Sequence, residues 1–486
     1  MGKKRKPNLL FIFTDEQRYD TMGCYGNRQI ETPNLNALAE GSFVFENAYV
    51  TQPVCTPSRA SIMTGLYPHT CGCAANNVPL RPETPTLAEM VSDDYLCGYF
   101  GKWHLGDEII AQHGFKRWVS IEDMYRRFYS RKEHLSRFSD YHHFLIAKGL
   151  TPDIESHGAK VFARSTAARL SEELTKASFL GRQTAEFIRE NRDRPFVLYV
   201  NFLEPHMPFT GPFDEMYAPE ALPVGPHFFR KPPPEASLLH RLRSEQYTRR
   251  PYGDLDLGTE AGWRKLRARY WGLVTLVDRS VGVMLNALDE CGLADNTMVA
   301  FTSDHGDMMG DHAMLAKCVM YEEALKVPLL VRVPWLAGEE RRVAGRISQI
   351  DLVPTLLALL GEPIPDYLQG QSRAAVFAGE ADLGESDVFV EWNSRNGWPK
   401  EFPPGFKPEE CERVAGQPWR TVVTADGWKL NLSPADRCEL YNLTSDPHEM
   451  KNLFEDPAQQ GLIRDLASRI RKWQEQAKDQ APLPDL

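Results

Sequence analysis

The chain has 486 residues, 42% of them hydrophobic and 25% charged, which is the balance of a folded enzyme with two or three domains. A formal net charge of −10 and a pI of about 5.8 exclude a general nucleic-acid binder, which needs a basic surface. An anionic substrate would have to be attracted by local cations.

The N-terminal segment carries a basic run at residues 3–6, of the kind that opens a signal peptide. The apolar run after it, residues 9–13, is too short and ends in acid. We therefore expect no signal peptide, no transmembrane helix, no membrane partner and a cytoplasmic location. Nine cysteines in so long a chain predict free thiols and no disulfide framework.

Three apolar stretches predict buried strands of a mostly parallel sheet, and each ends in polar residues: 8–14, 195–202 and 297–303. Asp15 and Glu16 follow the first, His206 follows the second, and Asp304 and His305 follow the third. Because the carboxyl ends of parallel strands meet at the edge where ligands bind, we expect these residues to share one site.

Helical periodicity separates the strands, at residues 182–190 and in an apolar stripe over 266–288 that Gly292 can terminate. This stripe is expected to be core. The alternation predicts an α/β fold in which helices sandwich a large, mostly parallel or mixed sheet.

The stretch from Cys55 to Gly65 predicts a short helix that begins at residue 55 or just after it. Thr56 can cap the helix, Pro57 suits its first turn and Gly65 can end it. Arg59 lies on the same face as Cys55. The free N–H groups of the helix start and the guanidinium fork predict binding of a small anion such as sulfate or phosphate.

The remaining chain divides into inserts and a C-terminal unit. Two long irregular inserts are expected, at about 118–160 and 207–262, and their aromatic, arginine and proline content favours a rim around a substrate over a solvated surface. From residue 386 onward, short strand patterns around the Asp426-Gly427 turn and a helix over 457–478 predict a smaller antiparallel sheet with a packed helix. The predicted domains are therefore 1–385 and 386–486.

The carboxylates of Asp15, Glu16 and Asp304 would repel one another without a cation, so we predict a divalent metal held by them and by His305. Oxygen-rich ligation favours Ca²⁺, with Mg²⁺ possible, and a histidine ligand leaves Mn²⁺ or Zn²⁺ open.

Several motifs resemble the formylglycine-dependent sulfatases of the alkaline phosphatase superfamily. The stretch 55–59 (CTPSR) resembles their C-x-P-S-R signature, and 95–106 resembles a second signature that ends in G-K-W-H-L-G. His206 lies in an H-x-P motif, Lys317 in a K-x-x-x-Y-E-E motif, and 440–453 matches the L-Y-x-L, D-P and N-L pattern of the family's C-terminal subdomain. The two inserts are unmatched.

This resemblance implies that a maturation enzyme oxidises Cys55 to formylglycine, whose hydrated aldehyde offers the metal a hard oxygen and the substrate a nucleophilic hydroxyl. It further implies that Lys102 and Lys317 hold sulfate oxygens, that His104 positions the hydroxyl and that His206 is the general acid. The family usually has two adjacent aspartates, so Glu16 is a departure and Asp15 the firmer ligand.

The resemblance implies a sulfuric ester hydrolase acting on a carbohydrate or small organic sulfate. A phosphonate monoester or phosphodiester hydrolase of the same superfamily is an alternative, although those relatives lack the lysine and histidine seen here as Lys102 and His104. A non-catalytic binder of sulfated ligands is a third reading, if Cys55 stays a thiol. The oligomeric state is not predicted.

Overall fold

The computed structural model describes residues 5–249, 251–336, 340–393 and 402–486, so Lys3 and Lys4 of the basic run lie outside the described residues. Its strands are β1 (Asn8–Asp15), β2 (Phe43–Tyr49), β3 (Leu96–Gly101), β4 (Arg117–Ser120), β5 (Ile154–Ser156), β6 (Ala159–Val161), β7 (Phe196–Pro205), β8 (Thr297–Ser303), β9 (Lys326–Arg332), β10 (Arg341–Ser348), β11 (Val388–Trp392), β12 (Trp419–Val423), β13 (Trp428–Leu432) and β14 (Glu439–Asn442).

The helices of the described residues range from single turns to one of 31 residues. They are α1 (Pro33–Glu40), α2 (Cys55–Thr64), α3 (Pro68–Cys71), α4 (Leu87–Met90), α5 (Asp140–Ala147), α6 (Arg164–Ala168), α7 (Lys176–Glu190), α8 (Leu238–Thr248), α9 (Glu260–Glu290), α10 (Glu322–Leu325), α11 (Leu352–Leu360), α12 (Ala374–Ala378), α13 (Pro408–Val414) and α14 (Gln460–Ala477). None of these helices combines the length and apolarity that a membrane span requires.

The main sheet has eight strands in the order β10-β2-β9-β8-β1-β7-β3-β4. All neighbouring pairs are parallel except those that involve β9, which is antiparallel to β8 and β2. The three strands predicted from their apolar runs are β1, β7 and β8, and they lie side by side at the centre of the sheet. Their position explains why their sequences are apolar on both faces.

Helices cover both faces of this sheet, as the alternating side chains of β1 demonstrate. Leu10 and Ile12 enter a core shared with α7 and α9. Leu9, Phe11 and Phe13 enter the opposite core, which is shared with α2 and α11. The predicted α/β sandwich is thus confirmed, and the predicted helical stripe is the buried face of α9.

The C-terminal unit is an antiparallel sheet in the order β11-β12-β13-β14, against which α14 packs Ile463, Leu466 and Ile470. The Asp426-Gly427 turn joins β12 to β13 as a hairpin, as predicted. The predicted division between residues 385 and 386 falls between β10 of the main sheet and β11 of the second.

The two inserts are more regular than the sequence indicates. The first holds most of β4 together with α5, β5 and most of β6, and the second holds α8. The expectation of wholly irregular loops was wrong, because β4 pairs with β3, β5 pairs with β6, and side-chain hydrogen bonds cap α5 and α8. For example, the Ser139 hydroxyl accepts a hydrogen bond from the N–H of His142 and caps α5.

Candidate active site

The carboxyl edge of the main sheet brings the predicted site residues together. Four adjacent strands, in the order β8, β1, β7 and β3, each deliver polar residues there. Asp304 follows β8, Asp15 ends β1, His206 follows β7 and Lys102 follows β3. The polar ends of strands far apart in sequence therefore face one space, as expected for a sheet of this type.

Helix α2 directs its first residue, Cys55, at this edge. The Sγ atom of Cys55 lies 3.7 Å from Oδ1 of Asp15 and 3.3 Å from Nε2 of His305. The helix ends at Gly65, whose φ of 68° is the left-handed conformation that glycine adopts without strain. Burial, and then the charge of Asp15, raise the pKa of the Cys55 thiol, so an unmodified Cys55 would be neutral.

Thr56 does not cap this helix, contrary to our expectation. The helix begins at Cys55, as predicted, but Val54 is at the N-cap position and no side chain caps it there. The Thr56 hydroxyl instead donates to the carbonyl oxygen of His104, 2.8 Å away. This hydrogen bond connects α2 to the segment that follows β3.

The donors of Asp15, Cys55, Asp304 and His305 lie within 4.8 Å of one another and are all buried. Although burial opposes ionisation, the charge of Lys102 holds the pKa of Asp15 well below its usual value. Burial, and then the charge of Asp15, raise the pKa of Asp304. Two buried carboxylates that repel each other beside an imidazole fit a divalent cation, which would hold both of them ionised.

Arg59 is bound differently from the prediction. Its Nε donates to Asp304 Oδ2 at 2.8 Å, its Nη2 to Asp15 Oδ2 at 3.0 Å, and its Nη1 to the carbonyl oxygen of Lys102 at 2.8 Å. Three of the five N–H groups of Arg59 are thus engaged with the protein. Arg59 therefore holds the two carboxylates in place.

Two lysines provide the cations that face the substrate space. Lys102 Nζ contacts Asp15 Oδ2, and Lys317 Nζ contacts Glu16 Oε1. Burial alone would lower the pKa of Lys102, but the charge of Asp15 raises it above its usual value. Burial lowers the pKa of Lys317. Both ammonium groups are buried and can transfer from these carboxylates to the oxygens of a bound anion.

The side-chain carboxylate of Glu16 lies outside the group formed by Asp15, Cys55, Asp304 and His305. Its backbone is left-handed, with φ at 69°, and its carboxylate faces Lys317 and His206. It shares a possible cation group with Asp15 and His206, and not with Asp304 and His305. The carboxylate of Glu16 therefore helps to position the side chains of Lys317 and His206.

His104 follows Lys102 and Trp103 in the segment after β3. Its φ is 57°, so the chain turns sharply there. Its Nε2 lies 3.0 Å from Oδ1 of Asn77 and donates to it, which leaves Nδ1 as an acceptor without a partner among the described residues. Burial, and then the charge of Lys102, hold the pKa of His104 well below its usual value, so the ring is neutral.

Glu108, which sequence reasoning missed, holds this turn in place. Its carboxylate accepts hydrogen bonds from the N–H groups of Trp103 at 2.8 Å and His104 at 2.6 Å. Burial outweighs these bonds and raises the pKa of Glu108 to about 7. No sequence signal distinguishes it from a surface glutamate.

His206 lies beside Glu16, with its Nε2 3.3 Å from Oε1, and its Nδ1 is 2.7 Å from the carbonyl oxygen of Met207. Burial lowers the pKa of His206 to about 3, so the imidazole is neutral at pH 7 in the substrate-free chain. A general acid at this position must gain its proton when the anionic substrate arrives, because added negative charge raises the pKa of a nearby imidazole.

Tyr125 of the first insert also reaches the site. Its ring stacks on His104 with centroids 4.1 Å apart, and Lys102 Nζ lies 5.5 Å from its centre. Arg164, from α6, lies 5.0 Å from the same ring. The aromatic and arginine content of the insert was a signal for such a residue, but it could not say which tyrosine.

The contacts above join all ten residues predicted for the site into one buried group. These are Asp15, Glu16, Cys55, Arg59, Lys102, His104, His206, Asp304, His305 and Lys317. Their proximity leaves the role of each residue to be proposed from its own contacts.

Comparison with known proteins identifies the family. Residues 7–362 match the family model described as sulfatase, and residues 310–476 match that of the N-sulphoglucosamine sulphohydrolase C-terminal region. The chain is 32% identical over 462 residues to the uncharacterized sulfatase YidJ of Escherichia coli (strain K12), covering 93% of this chain and 84% of that protein. It is 26% identical to an ulvan-active sulfatase of Formosa agariphila, covering 96% and 81%.

A solved structure agrees in fold. The phosphonate monoester hydrolase SpPMH from Silicibacter pomeroyi superposes with a TM-score of 0.76 at 24% identity, over 97% of this chain and 96% of that one. At that identity the likeness establishes the fold alone. The match over 7–362 and the 32% identity to YidJ decide the family: this chain belongs to the sulfatases of the alkaline phosphatase superfamily and is a sulfuric ester hydrolase.

Proposed function

We propose that this sulfatase removes sulfate from a saccharide sulfate ester, with residue 55 as the nucleophile after its conversion to formylglycine. The observation that carries the proposal is the placement of Cys55 at the buried start of α2, within 3.7 Å of Asp15 and 3.3 Å of His305. A side chain there meets the substrate, the cation ligands and the helix N-terminus together.

Formylglycine, when present, supplies a hydrated aldehyde whose hydroxyl attacks sulfur. The unmodified thiol suits this task poorly, since it is neutral and a soft ligand beside hard oxygen donors. The neutral ring of His104 has Nδ1 free to accept a hydrogen bond from such a hydroxyl. We assign His104 the role of orienting that hydroxyl.

We propose Ca²⁺ as the resident cation, held by Asp15, Asp304, His305 and residue 55. Carboxylate oxygens dominate this donor set, and Ca²⁺ accepts many such ligands in irregular geometry. The cation would neutralise the two carboxylates and polarise the oxygens of the bound sulfate. Glu16, which we predicted as a ligand, is assigned to orienting Lys317 and His206.

The substrate's sulfate group is assigned to Lys102 and Lys317. Each ammonium group lies against a carboxylate of the site, so each is held at a fixed position before substrate arrives. Charge that develops on the oxygens during S–O cleavage is then stabilised without reorganisation of the protein, which is commonly the largest catalytic contribution. His206 donates the proton to the departing alcohol oxygen.

A saccharide substrate is supported by the residues at the rim. Tyr125 offers an aromatic ring beside Lys102 and Arg164, and aromatic faces together with cations suit sugar rings that carry anions. The ulvan-active relative and the sulphohydrolase C-terminal model are in keeping with this substrate class.

The nucleophile is tested by comparing the natural chain with Cys55→Ala, both co-produced with a formylglycine-generating maturation enzyme. Mass analysis of the peptide that contains residue 55 should reveal the aldehyde. Sulfate release from sugar sulfates should fall at least about a thousandfold in Cys55→Ala, because no other group can attack. Cys291→Ala, at a half-buried cysteine outside the site, is the matched control. A thiol at position 55 in protein that releases sulfate would refute the assignment, and a thiol in protein that binds sulfate esters without cleaving them would favour the non-catalytic binder.

The phosphonate alternative is decided by kinetics. We expect kcat/KM for sulfate monoesters to exceed that for the matched phosphonate and phosphate esters. The reverse order would move the chain to the alternative activity.

The identity of the cation is tested by removing the bound metal with a chelator and then adding back one metal ion at a time. After chelation, activity should be lost, and Ca²⁺ should restore it better than Mg²⁺ or Mn²⁺. Restoration by Mn²⁺ alone would show that Ca²⁺ is the wrong ion. The cytoplasmic location stays a prediction.

A further inference from the structure

A second group of metal-binding side chains lies apart from the catalytic residues. His227 of the second insert, Glu323 of α10 and His448 of the C-terminal unit offer donor atoms within 4.8 Å of one another. They come from three distant parts of the chain. Their meeting point is a wall of a cavity of about 530 Å³ that contains none of the ten catalytic-site residues.

The ion pairs around this group leave the carboxylate of Glu323 available to bind a metal ion. Asp311 is neutralised by two guanidinium groups, from Arg18 and Arg267, each at 2.8 Å. Glu323 has no guanidinium partner among the described residues: its Oε1 lies 2.9 Å from Nε2 of His227, a nitrogen that also lies 3.4 Å from Oδ2 of Asp311. Its Oε2 and the Nδ1 of His227 are buried with no hydrogen-bond partner among the described residues.

Unpartnered polar atoms on side chains that are 3% and 6% exposed need an explanation. Burying such atoms without partners is costly, and a bound cation would satisfy them. We propose that His227, Glu323 and His448 bind a second divalent ion, Zn²⁺, which joins the C-terminal unit to the catalytic domain. Two imidazoles and one carboxylate form a donor set that suits Zn²⁺ and disfavours Ca²⁺.

The required movement is small. The ligands of a tetrahedral zinc ion are about 3.4 Å apart, given bonds of about 2.1 Å, so donors within 4.8 Å of one another must close by at most about 1.4 Å. The rings of His227 and His448 now stack 4.2 Å apart at 21°. His448 is only partly buried and can rotate until its nitrogen faces the ion. The ion takes the place of the proton shared by His227 and Glu323, and water from the cavity completes its coordination.

A third cluster gives a useful contrast. His69, Glu391 and Asp479 also lie within 4.8 Å of one another. There, however, both ring nitrogens of His69 are hydrogen-bonded, to Glu391 and to the carbonyl oxygen of Ala477. Asp479 is paired with Arg420 at 2.6 Å. No donor is left over, so that cluster is an ion-pair network.

The test is Zn²⁺ uptake by the full chain carrying Cys55→Ala, with the catalytic site kept filled by excess Ca²⁺. We expect one equivalent of Zn²⁺ by calorimetry and by elemental analysis after gel filtration. His448→Asn should weaken this binding at least tenfold and leave sulfate release by the Cys55 chain unchanged. His157→Asn, at an exposed histidine, is the matched control and should bind Zn²⁺ normally.

Co²⁺ gives a direct readout that needs no variant to fold. Co²⁺ at the proposed site should produce visible d–d bands without the charge-transfer band of thiolate ligation, because no cysteine is among the ligands. Absence of Zn²⁺ uptake, equal binding by His448→Asn, or a thiolate spectrum would each overturn the proposal.

Discussion

At the scale of single residues, the site works by holding charged groups in fixed positions before substrate binds. Arg59 is the clearest case. Three of its N–H groups donate to Asp304, Asp15 and the carbonyl oxygen of Lys102, so it sets the spacing of the carboxylates. Mutating it would disturb cation binding and catalysis together. Lys102 and Lys317 are buried against carboxylates, and the proposed mechanism assigns both of them to the sulfate group.

The role of His206 can be isolated by varying the leaving group. In His206→Gln we expect kcat for a sugar sulfate to fall by about 10²- to 10⁴-fold, because the alkoxide leaves poorly without a proton. An activated aryl sulfate needs no proton and should lose much less. Equal losses for both substrates, measured by sulfate release, would show that His206 binds substrate and does not protonate it.

At the scale of elements, the turn after β3 is organised by a buried carboxylate. Glu108 accepts the N–H groups of Trp103 and His104, and thereby fixes the left-handed turn that places His104 near the nucleophile helix. Tyr125 covers the outer face of His104. The position of His104 thus depends on the end of β3, on Glu108 and on Tyr125.

Glu108 gives a prediction for stability against pH. Burial raises its pKa from 4.5 to about 7 in the folded state, so the folded chain binds a proton more tightly than the unfolded chain. The contribution of Glu108 is therefore fully present below about pH 4.5 and is lost as the pH rises through about 7. The natural chain should lose up to about 3 kcal/mol relative to Glu108→Gln over this range.

Urea unfolding at pH 5 and pH 8 measures this difference. Glu133→Gln, at an exposed glutamate, is the control and should track the natural chain at both pH values. A constant difference between Glu108→Gln and the natural chain would mean that Glu108 does not change its protonation in this range.

At the scale of the whole molecule, a buried ion cluster joins the C-terminal sheet to the main one. Lys429 of β13 lies 3.0 Å from Glu322 and 2.8 Å from Glu449, and Tyr49 of β2 donates to Glu322 at 2.7 Å. Although the charge of Lys429 opposes it, burial raises the pKa of Glu449 to about 8. One lysine thus compensates the acidic groups at the junction of the two sheets.

Lys429→Met should therefore destabilise the chain by about 3–5 kcal/mol, since it leaves buried acidic groups without their cation. Equilibrium denaturation is the measurement, with Lys451→Met at an exposed lysine as control. A loss below about 1 kcal/mol would indicate that water reaches the junction and screens these groups.

The sequence by itself determined the α/β sandwich, the central strands and the membership of the catalytic group. A strand that is apolar on both faces is buried at the centre of a sheet. The polar residues at the carboxyl ends of neighbouring central strands then lie at the same edge of that sheet. The motifs around Cys55, Lys102 and Lys317 indicated the chemistry through their resemblance to the sulfatase signatures.

Only the tertiary structure decided where each side chain points and which groups share a charge. The engagement of Arg59 with carboxylates, the left-handed turn at His104, the contact of the Glu16 carboxylate with Lys317 and His206, and the placement of Tyr125 and Glu108 all depend on contacts between segments far apart in the chain. Periodicity and spacing report local conformation and burial. They carry no information on which partner a buried charge will find, since that is set by how the whole chain packs.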